Sequence, residues 1–290
     1  VDCRCPPGQS GLREASLTGT ALHYRVFGDP SRPPLVFLHG FMGDSNDWEA
    51  VVSYLCRKYY CVAVDLPGHG ESLGVGDRGP AAFYSLTGAA DGIVEVMRYQ
   101  KIVPASVVGY SMGGRVALYL ATRYTGTCSK LVIESATPGI ENRRERQNRL
   151  QWDRTRAQEL QAKGLPRFLR WWYRQPIFDT IAQSPSRLEM MVRKRSRNDP
   201  VQLAHALVGM SVGGQRPLWR ALPKLDVPVL LLAGQRDPKY VEIIRAMAAA
   251  LPRATAEIVP AAGHAVHLDD SLGVVRRIEH FMLREESGSS

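Results

Sequence analysis

One short stretch, Gly109–Gly113 (GYSMG), constrains the fold of this chain more than any other segment. It follows an apolar run at 106–108 and precedes a helical pattern at 114–121. A Gly-x-Ser-x-Gly pattern between a strand and a helix predicts a nucleophile elbow, a tight turn that exposes the hydroxyl of Ser111. Glycine at both ends removes side chains that would collide across this turn. The pentapeptide by itself could be a chance loop, so the interpretation depends on the rest of the chain.

Apolar runs that fit buried strands recur along the chain and alternate with helical patterns. The runs are 35–38, 61–65, 106–108, 131–134, 229–233 and 256–259, and helices are expected near 47–55, 85–99, 241–250 and 272–283. Two short strands near 15–17 and 21–25, joined by a glycine turn, precede them. This alternation predicts an α/β fold with a mostly parallel, doubly wound sheet. In such sheets, functional residues lie in the loops after the carboxyl ends of the strands.

The regular alternation is interrupted between about 138 and 222. Polar, aromatic and arginine-rich helical patterns replace the buried strands there, and strand patterns resume at Val229. We therefore predict a helical cap at 138–222, inserted between two parts of one core, 14–137 and 223–290. A separate small domain is the alternative. Residues 1–13, rich in Pro, Gly and Cys, are expected to be a tail or linker.

Composition excludes some classes of protein and leaves others open. No apolar run approaches the roughly 18 residues needed to span a membrane, and the N-terminus lacks the pattern of a secretory signal. The five cysteines are irregularly spaced and form no CxxC pair, so we expect free thiols in a reducing compartment and no metal site or disulfide framework. The net charge of +9 fits nucleic acid, a membrane surface or small anions.

The elbow needs partners, because a serine hydroxyl is a poor nucleophile or base without an imidazole and a carboxylate to orient it. With such an elbow, the acid and then the histidine follow the serine along the chain. Asp237 lies just past the strand that ends at Ala233, and His264 follows Gly263 just past the last strand. We predict Ser111, Asp237 and His264 as a catalytic triad.

Other interpretations of these positions stay open. Asp237 could instead cap the helix that begins at Pro238, and His267 and His205 compete with His264. The oxyanion hole of such a site uses the N–H that follows the nucleophile and one from the loop after an early strand. Those groups are expected on Met112 and Phe41.

Several segments together resemble the α/β-hydrolase superfamily over about 15–284. They are closer to one branch of it, the 2-succinyl-6-hydroxy-2,4-cyclohexadiene-1-carboxylate synthases of menaquinone and phylloquinone biosynthesis. The resemblance is carried by 38–48 (LHGFMGDSNDW), 65–70 (DLPGHG), 108–115 (VGYSMGGR), 134–140 (ESATPGI), 172–178 (WYRQPIF) and 263–267 (GHAVH). The first two segments are common to many relatives, whereas Tyr110, Arg115 and the cap segment at 172–176 are more specific.

The resemblance implies a lyase that eliminates pyruvate from a cyclohexene substrate with succinyl, enolpyruvyl and ring carboxyl groups. His264 would deprotonate Ser111, which would remove a ring proton, and no metal or organic cofactor is implied. The implied substrate-binding residues are His39, Tyr110, Arg115, Arg146, Trp172, Tyr173, Arg195 and Lys239. Arg149 and Arg193 are alternatives within the loosely aligned cap, and His39 is also compatible with a structural role.

Charge supports this implication independently. The cap segment holds two groups of cationic residues, an earlier one with Arg143, Arg144, Arg146, Arg149, Arg154 and Arg156 and a later one with Arg193, Lys194, Arg195 and Arg197. A substrate with three carboxylates favours several guanidinium groups over the site, although a solvated helix face or a nonspecific RNA contact would have the same composition.

We therefore expect a small polycarboxylate as the partner, with neither nucleic acid nor a membrane, and other enzymes of the quinone pathway as further partners, including as a fused domain. The start at Val1 fits a trimmed chain, a processed precursor or an excised domain. The expected compartment is the cytoplasm for a bacterial source and the chloroplast for a plant or alga. Two other functions stay open: a serine hydrolase (carboxylesterase, thioesterase or carbon–carbon bond hydrolase) with the same triad, and a non-catalytic ligand-binding protein.

Overall fold

The computed structural model describes residues 11–17, 20–74 and 79–283. Within them a single sheet has the strand order β1-β2-β4-β3-β5-β6-β7-β8. The strands are β1 (Gly11–Leu17), β2 (Thr20–Phe27), β3 (Pro34–Leu38), β4 (Tyr60–Val64), β5 (Ala105–Tyr110), β6 (Cys128–Glu134), β7 (Val229–Gly234) and β8 (Ala254–Val259). The pairs β1–β2 and β2–β4 are antiparallel, and β3 to β8 all run parallel to one another. The predicted α/β fold with a mostly parallel sheet is confirmed.

Helices lie between the parallel strands and after the last of them. They are α1 (Glu49–Leu55), α2 (Gly79–Phe83), α3 (Leu86–Tyr99), α4 (Met112–Arg123), α5 (Arg143–Lys163), α6 (Leu165–Trp172), α7 (Asp179–Ala182), α8 (Pro185–Arg195), α9 (Pro200–Gly209), α10 (Pro238–Ala250), α11 (Val266–Asp269) and α12 (Ser271–Leu283). In the described part of the chain, no helix is both long and apolar enough to cross a bilayer.

Strand periodicity explains why the sheet is covered on both faces. Successive side chains of a strand point to opposite faces, so Val36 packs in the cluster that includes residues of α3, α4 and α10, and Phe37 packs in the cluster that includes α1 and α12. Both side chains are fully buried. This double covering accounts for the continuous apolar run of β3, which a sheet exposed on one face would not need.

The residues between β6 and β7 are all described, and they form helices and turns with no strand. Helices α5 to α9 lie in this segment and have an apolar cluster of their own, which also includes Met42 of the core. The cluster packs over the carboxyl ends of the strands, because Met42 lies in the loop just after β3.

Two expectations about the chain need correction. β1 begins at Gly11, so residues 11–13 belong to the sheet and not to a tail, while residues 1–10 lie outside the described part. Cys61 and Cys128 are free and buried as expected, but Cys56 is disulfide-bonded. The irregular spacing of the cysteines along the chain therefore did not exclude a disulfide.

Candidate active site

The elbow at the end of β5 holds Ser111 in a conformation that few residues adopt. Its φ is 51° and its ψ is −106°, in the left-handed half of the Ramachandran plot. Gly113 allows the turn because a Cβ atom there would lie 2.3 Å from the carbonyl oxygen of Leu38. Backbone strain of this kind persists only where the surrounding structure over-determines it, and here it places the Ser111 side chain at the start of α4.

Three side chains from separate loops form a hydrogen-bonded relay at this point. Nε2 of His264 is 3.1 Å from Oγ of Ser111, and Nδ1 of His264 is 2.7 Å from Oδ2 of Asp237. His264 and Asp237 are 3% and 4% exposed, so water does not compete strongly for these bonds. Donation from Nδ1–H to the carboxylate leaves Nε2 as an acceptor for the serine proton.

Asp237 satisfies both of the interpretations that the sequence left open. Its Oδ1 accepts a hydrogen bond from the backbone N–H of Tyr240, so the residue is the N-cap of α10. The other carboxylate oxygen faces His264. Capping therefore orients the carboxylate for its partner, because the helix restricts how the side chain can turn.

The competing histidines lie elsewhere. His267 is buried, with Nδ1 2.8 Å from Oε1 of Glu134. His205 stacks on the ring of Tyr84 at a centroid distance of 5.1 Å. The structure thus brings His264, and neither of the others, to Ser111.

The expected oxyanion hole lies where the loop after β3 meets the elbow. Among the turn and loop hydrogen bonds of the described residues, the N–H groups of Phe41 and Met112 have no carbonyl partner. The next amide, Gly113 N–H, is already used, since it donates to the carbonyl of His39 at 3.0 Å. Two free amides near Ser111 have the chemistry to stabilise a developing negative charge.

His39 does not line the cavity, which corrects its assignment to substrate binding. It is fully buried, its Nδ1–H donates to the carbonyl of Gly40 at 2.7 Å, and its Nε2 accepts from the N–H of Leu66 at 2.9 Å. Both ring nitrogens are therefore occupied by backbone groups. The side chain holds the loop that carries Phe41, which is a structural role.

A cavity of about 710 Å³ opens above Ser111 between core and cap. One part of its wall is apolar and is formed by Phe41, Trp152, Trp172, Ile177, Phe178 and Leu268. The polar part is formed by Asp47, Tyr110, Ser111, Asn148, Arg149, Tyr173, Gln175, Arg195, Arg236, Asp237, Lys239, Tyr240 and His264. Within the described ranges, no group of three or more His, Cys, Asp or Glu side chains is placed to bind a metal ion.

Arg149, and not Arg146, is the arginine of α5 that lines this cavity. The guanidinium of Arg146 donates to the carbonyls of Ile140 and Glu141 just before the helix, at 3.1 and 2.6 Å, and this contact holds it away from the site. The expectation for Arg146 is therefore wrong, and the alternative that the sequence left open fits the structure. Arg149 uses its Nε to contact both carboxylate oxygens of the fully buried Asp153, at 3.0 and 3.1 Å.

Arg195 reaches the cavity wall but is already paired. Its two terminal nitrogens each lie 2.6 Å from a carboxylate oxygen of Asp47, and its Nε donates to the hydroxyl of Tyr173 at 3.3 Å. Burial alone would raise the pKa of the Asp47 carboxyl, but Arg195 and then Lys194 lower it well below its usual range. Because Arg195 has no acceptor atoms, Tyr173 keeps its own proton available for a ligand.

Arg115 lies behind the elbow and not in the main cavity. It lines a small adjoining pocket of about 70 Å³ that also reaches Ser111. Its terminal nitrogens donate to Oε1 of Gln215 and to the carbonyl of Met210, at 3.0 and 2.7 Å. Burial, with a smaller effect from Arg149, lowers the pKa of the Arg115 guanidinium to about 10, so it remains charged at neutral pH.

Two acidic residues at the site were missed by sequence reasoning. Asp47 belongs to a short 3-10 turn before α1, and Glu134 is the last residue of β6. Their partners, Arg195 and His267, are 148 and 133 residues away in sequence. No local spacing signals such pairs; the one available hint is that both acids sit in segments otherwise rich in buried apolar residues.

Comparison with known proteins is consistent with this geometry. The sequence profile of the Alpha/beta hydrolase family matches residues 35–277. The chain is 33% identical over 255 residues to 2-succinyl-6-hydroxy-2,4-cyclohexadiene-1-carboxylate synthase of Escherichia coli (strain SMS-3-5), covering 88% of this chain and 96% of that protein. It is 28% identical over 268 residues to the chloroplastic protein PHYLLO of Arabidopsis thaliana, covering 88% of this chain but 16% of that protein. Among solved structures, MenH from S. aureus has a TM-score of 0.83 and 31% identity, covering 90% of this chain and 97% of that one.

Proposed function

The chain belongs to the alpha/beta hydrolase family and, within it, to the 2-succinyl-6-hydroxy-2,4-cyclohexadiene-1-carboxylate synthases, and on this premise we propose that it is a lyase that releases pyruvate. The substrate is 2-succinyl-5-enolpyruvyl-6-hydroxy-3-cyclohexene-1-carboxylate. The observation that carries the proposal is the relay of Ser111, His264 and Asp237 at the base of a cavity with cationic side chains on its wall.

The names of substrate and product define the bonds that change. The proton at ring carbon 2 is lost, the double bond moves from carbons 3 and 4 to carbons 2 and 3, and a second one forms between carbons 4 and 5. The carbon–oxygen bond at carbon 5 breaks, and the leaving enolpyruvate takes up a proton as it becomes pyruvate. Because carbon 2 carries the succinyl ketone, its proton is the acidic one.

The site contains groups that can remove the ring proton and bind the charge that develops on the ketone oxygen. His264 takes the proton of Ser111, and the serine oxygen removes the proton from carbon 2, so the serine acts as a base and not as a covalent nucleophile. Negative charge then develops on the ketone oxygen, which the amides of Phe41 and Met112 can bind. Donors of this type are worth about 3–4 kcal/mol each in transition-state stabilisation.

Cationic groups that are not fully neutralised support a polycarboxylate substrate. The hydrogen bonds of Arg149 to protein groups use its Nε, so its two terminal nitrogens are left for a ligand. Lys239 is exposed on the cavity wall, 5.8 Å from the ring centroid of Tyr240. Arg115 provides a third cation, in the adjoining pocket. By contrast, the charge of Arg195 is balanced by Asp47.

Replacement of Arg149 tests this assignment, with Arg146 on the same helix as the matched control. We expect Arg149→Ala to raise KM about 10-fold to 100-fold, because a charge-assisted bond to a carboxylate is lost while the base is intact. Arg146→Ala should leave KM unchanged, since its guanidinium contacts backbone carbonyls outside the cavity. Steady-state kinetics of pyruvate release measure both. Equal effects of the two substitutions would contradict the placement of the substrate against Arg149.

Direct assay distinguishes the lyase from a hydrolase with the same triad. The purified protein is mixed with the tricarboxylate substrate, and pyruvate is followed with a coupled lactate dehydrogenase reaction. We expect rapid pyruvate release and slow cleavage of p-nitrophenyl acetate. No pyruvate together with rapid ester cleavage would overturn the proposed function in favour of a carboxylesterase.

The match to PHYLLO also suggests partners. This chain aligns with 16% of that protein, so a counterpart of this domain lies within a much longer polypeptide there. We propose that the chain works beside other enzymes of quinone biosynthesis, with the chloroplast as the compartment for a plant or algal source and the cytoplasm for a bacterial one. Neither nucleic acid nor a membrane is part of the proposed function.

A further inference from the structure

Glu134 contacts Ser111 and the segment that carries His264, and it does not line the cavity. Its backbone carbonyl accepts the N–H of Ser111 at 2.8 Å, which ties β6 to the strained elbow. Its carboxylate accepts the backbone N–H of His267 at 3.2 Å and lies 2.8 Å from the Nδ1 of the same residue. His267 is three residues after His264, at the start of α11. One residue therefore connects the nucleophile to the loop that carries its base.

The Glu134–His267 pair is buried, at 1% exposure for each residue. Neither residue lines the cavity above Ser111 or the small pocket beside it. A substrate bound in the cavity would therefore not contact the pair. An effect of this pair on catalysis has to act through the position of other groups.

Ring packing defines what the pair positions. The ring of Tyr110 lies between two imidazoles, with centroid distances of 4.7 Å to His267 and 5.4 Å to His264. The ring of Trp48 stacks on the imidazole of His267 at a centroid distance of 4.4 Å. His267 is thus held by Glu134 at one edge and by aromatic rings on its faces. The ring of Tyr110 therefore contacts both the catalytic imidazole and the buried one.

From this geometry we propose that Glu134 and His267 are positioning residues for the catalytic histidine. The pair clamps the His264 loop to the end of β6, so that Nε2 of His264 stays within hydrogen-bond distance of Ser111. Loss of the clamp lets the loop shift while the relay residues themselves are intact. The inference concerns the relay and holds for a lyase or a hydrolase.

The test measures the reactivity of Ser111 and not turnover, so it does not depend on the proposed substrate. A fluorophosphonate probe phosphonylates an activated serine with loss of fluoride, and the second-order rate of labelling reports the relay. We expect Glu134→Leu and His267→Phe to label about 10-fold to 100-fold more slowly, because small misplacements of a catalytic group cost rates of this order. Glu134→Gln and His267→Asn, which keep a hydrogen-bonding atom in place, should label at close to the wild-type rate. His264→Ala defines the rate without a base.

The four variants separate positioning from general damage. Circular dichroism and thermal unfolding verify that each variant is folded. If either Glu134→Leu or His267→Phe is unfolded, the labelling rate of the remaining apolar variant is compared with the rates of Glu134→Gln and His267→Asn. Normal labelling of folded Glu134→Leu or His267→Phe would overturn the inference. So would equally slow labelling of the polar and apolar replacements, or an unreactive wild type. Labelling as expected without any pyruvate release would keep this inference and reject the proposed function.

Discussion

Ser111→Ala should lower kcat by about 10³-fold or more, because the alanine leaves no oxygen to remove the ring proton. Affinity for the reaction product should be unchanged, since the cationic and aromatic residues of the cavity wall are intact. Pyruvate release measures the first quantity, and isothermal titration calorimetry with the product measures the second.

A buried serine of β5, the strand that leads into the elbow, provides the control. The hydroxyl of Ser106 in β5 lies 3.0 Å from that of Ser129 and has no contact with the cavity. Ser106→Ala removes the same atom, and the variant should keep wild-type turnover. If Ser111→Ala retains the wild-type rate, Ser111 has no part in the mechanism.

Asp47→Asn should produce the largest loss of stability. It leaves the guanidinium of Arg195 buried at 3% exposure without its counter-charge. Removing one partner of a buried ion pair typically costs about 3–5 kcal/mol of unfolding free energy. Because Asp47 belongs to the core and Arg195 to α8, we expect the loosened contact to affect the cap first. Urea unfolding followed by tryptophan fluorescence measures the change.

An exposed ion pair of the cap is the matched comparison. Arg170 and Glu189 also form a two-point contact, at 3.1 and 3.2 Å, but both side chains are open to solvent. Glu189→Gln should leave the unfolding midpoint unchanged, since water screens exposed pairs. Asp47→Asn together with Arg195→Met should recover part of the loss. Identical midpoints for Asp47→Asn and the wild type would show that the pair does not hold the cap.

The stability contributed by the pair of Asp47 and Arg195 should depend on pH. Since the pKa of Asp47 is lowered in the folded protein, its stabilisation is present above the unfolded pKa of about 3.9 and is lost as the pH falls toward the lowered value. The difference in stability between the wild type and Asp47→Asn should therefore shrink as the pH is lowered below about 4. A difference that stays constant through this range would assign the effect of the substitution to packing.

Most of the core was predictable because its signals are local. The apolar run at 35–38 became β3 with buried side chains on both faces, and the helix expected to begin near Ser85 begins at Leu86 with Ser85 as its N-cap. The order of the strands was not predictable in the same way. It depends on which edges pair after the chain has turned back, as when β4 lies between β2 and β3.

The candidate site shows the same difference between features with local sequence signals and features that depend on long-range contacts. Ser111, Asp237 and His264 were identifiable because each follows a strand end and because their chemistry requires one another. Arg149 and Arg146 could not be told apart, since both lie on α5 within one turn. The structure distinguishes them through carbonyls that precede the helix and attract Arg146, and through Asp153, which holds Arg149 at the cavity.

The amino-acid sequence by itself determined the elbow, the buried strands and the order of the relay residues along the chain. These features depend on neighbouring residues, because glycine permits the turn and continuous apolar runs require covering on both faces of a sheet. Only the tertiary structure decided that Asp47 pairs with Arg195 and Glu134 with His267. Such contacts join residues more than a hundred positions apart, and they form only when the cap packs on the core and the strand ends meet at one edge.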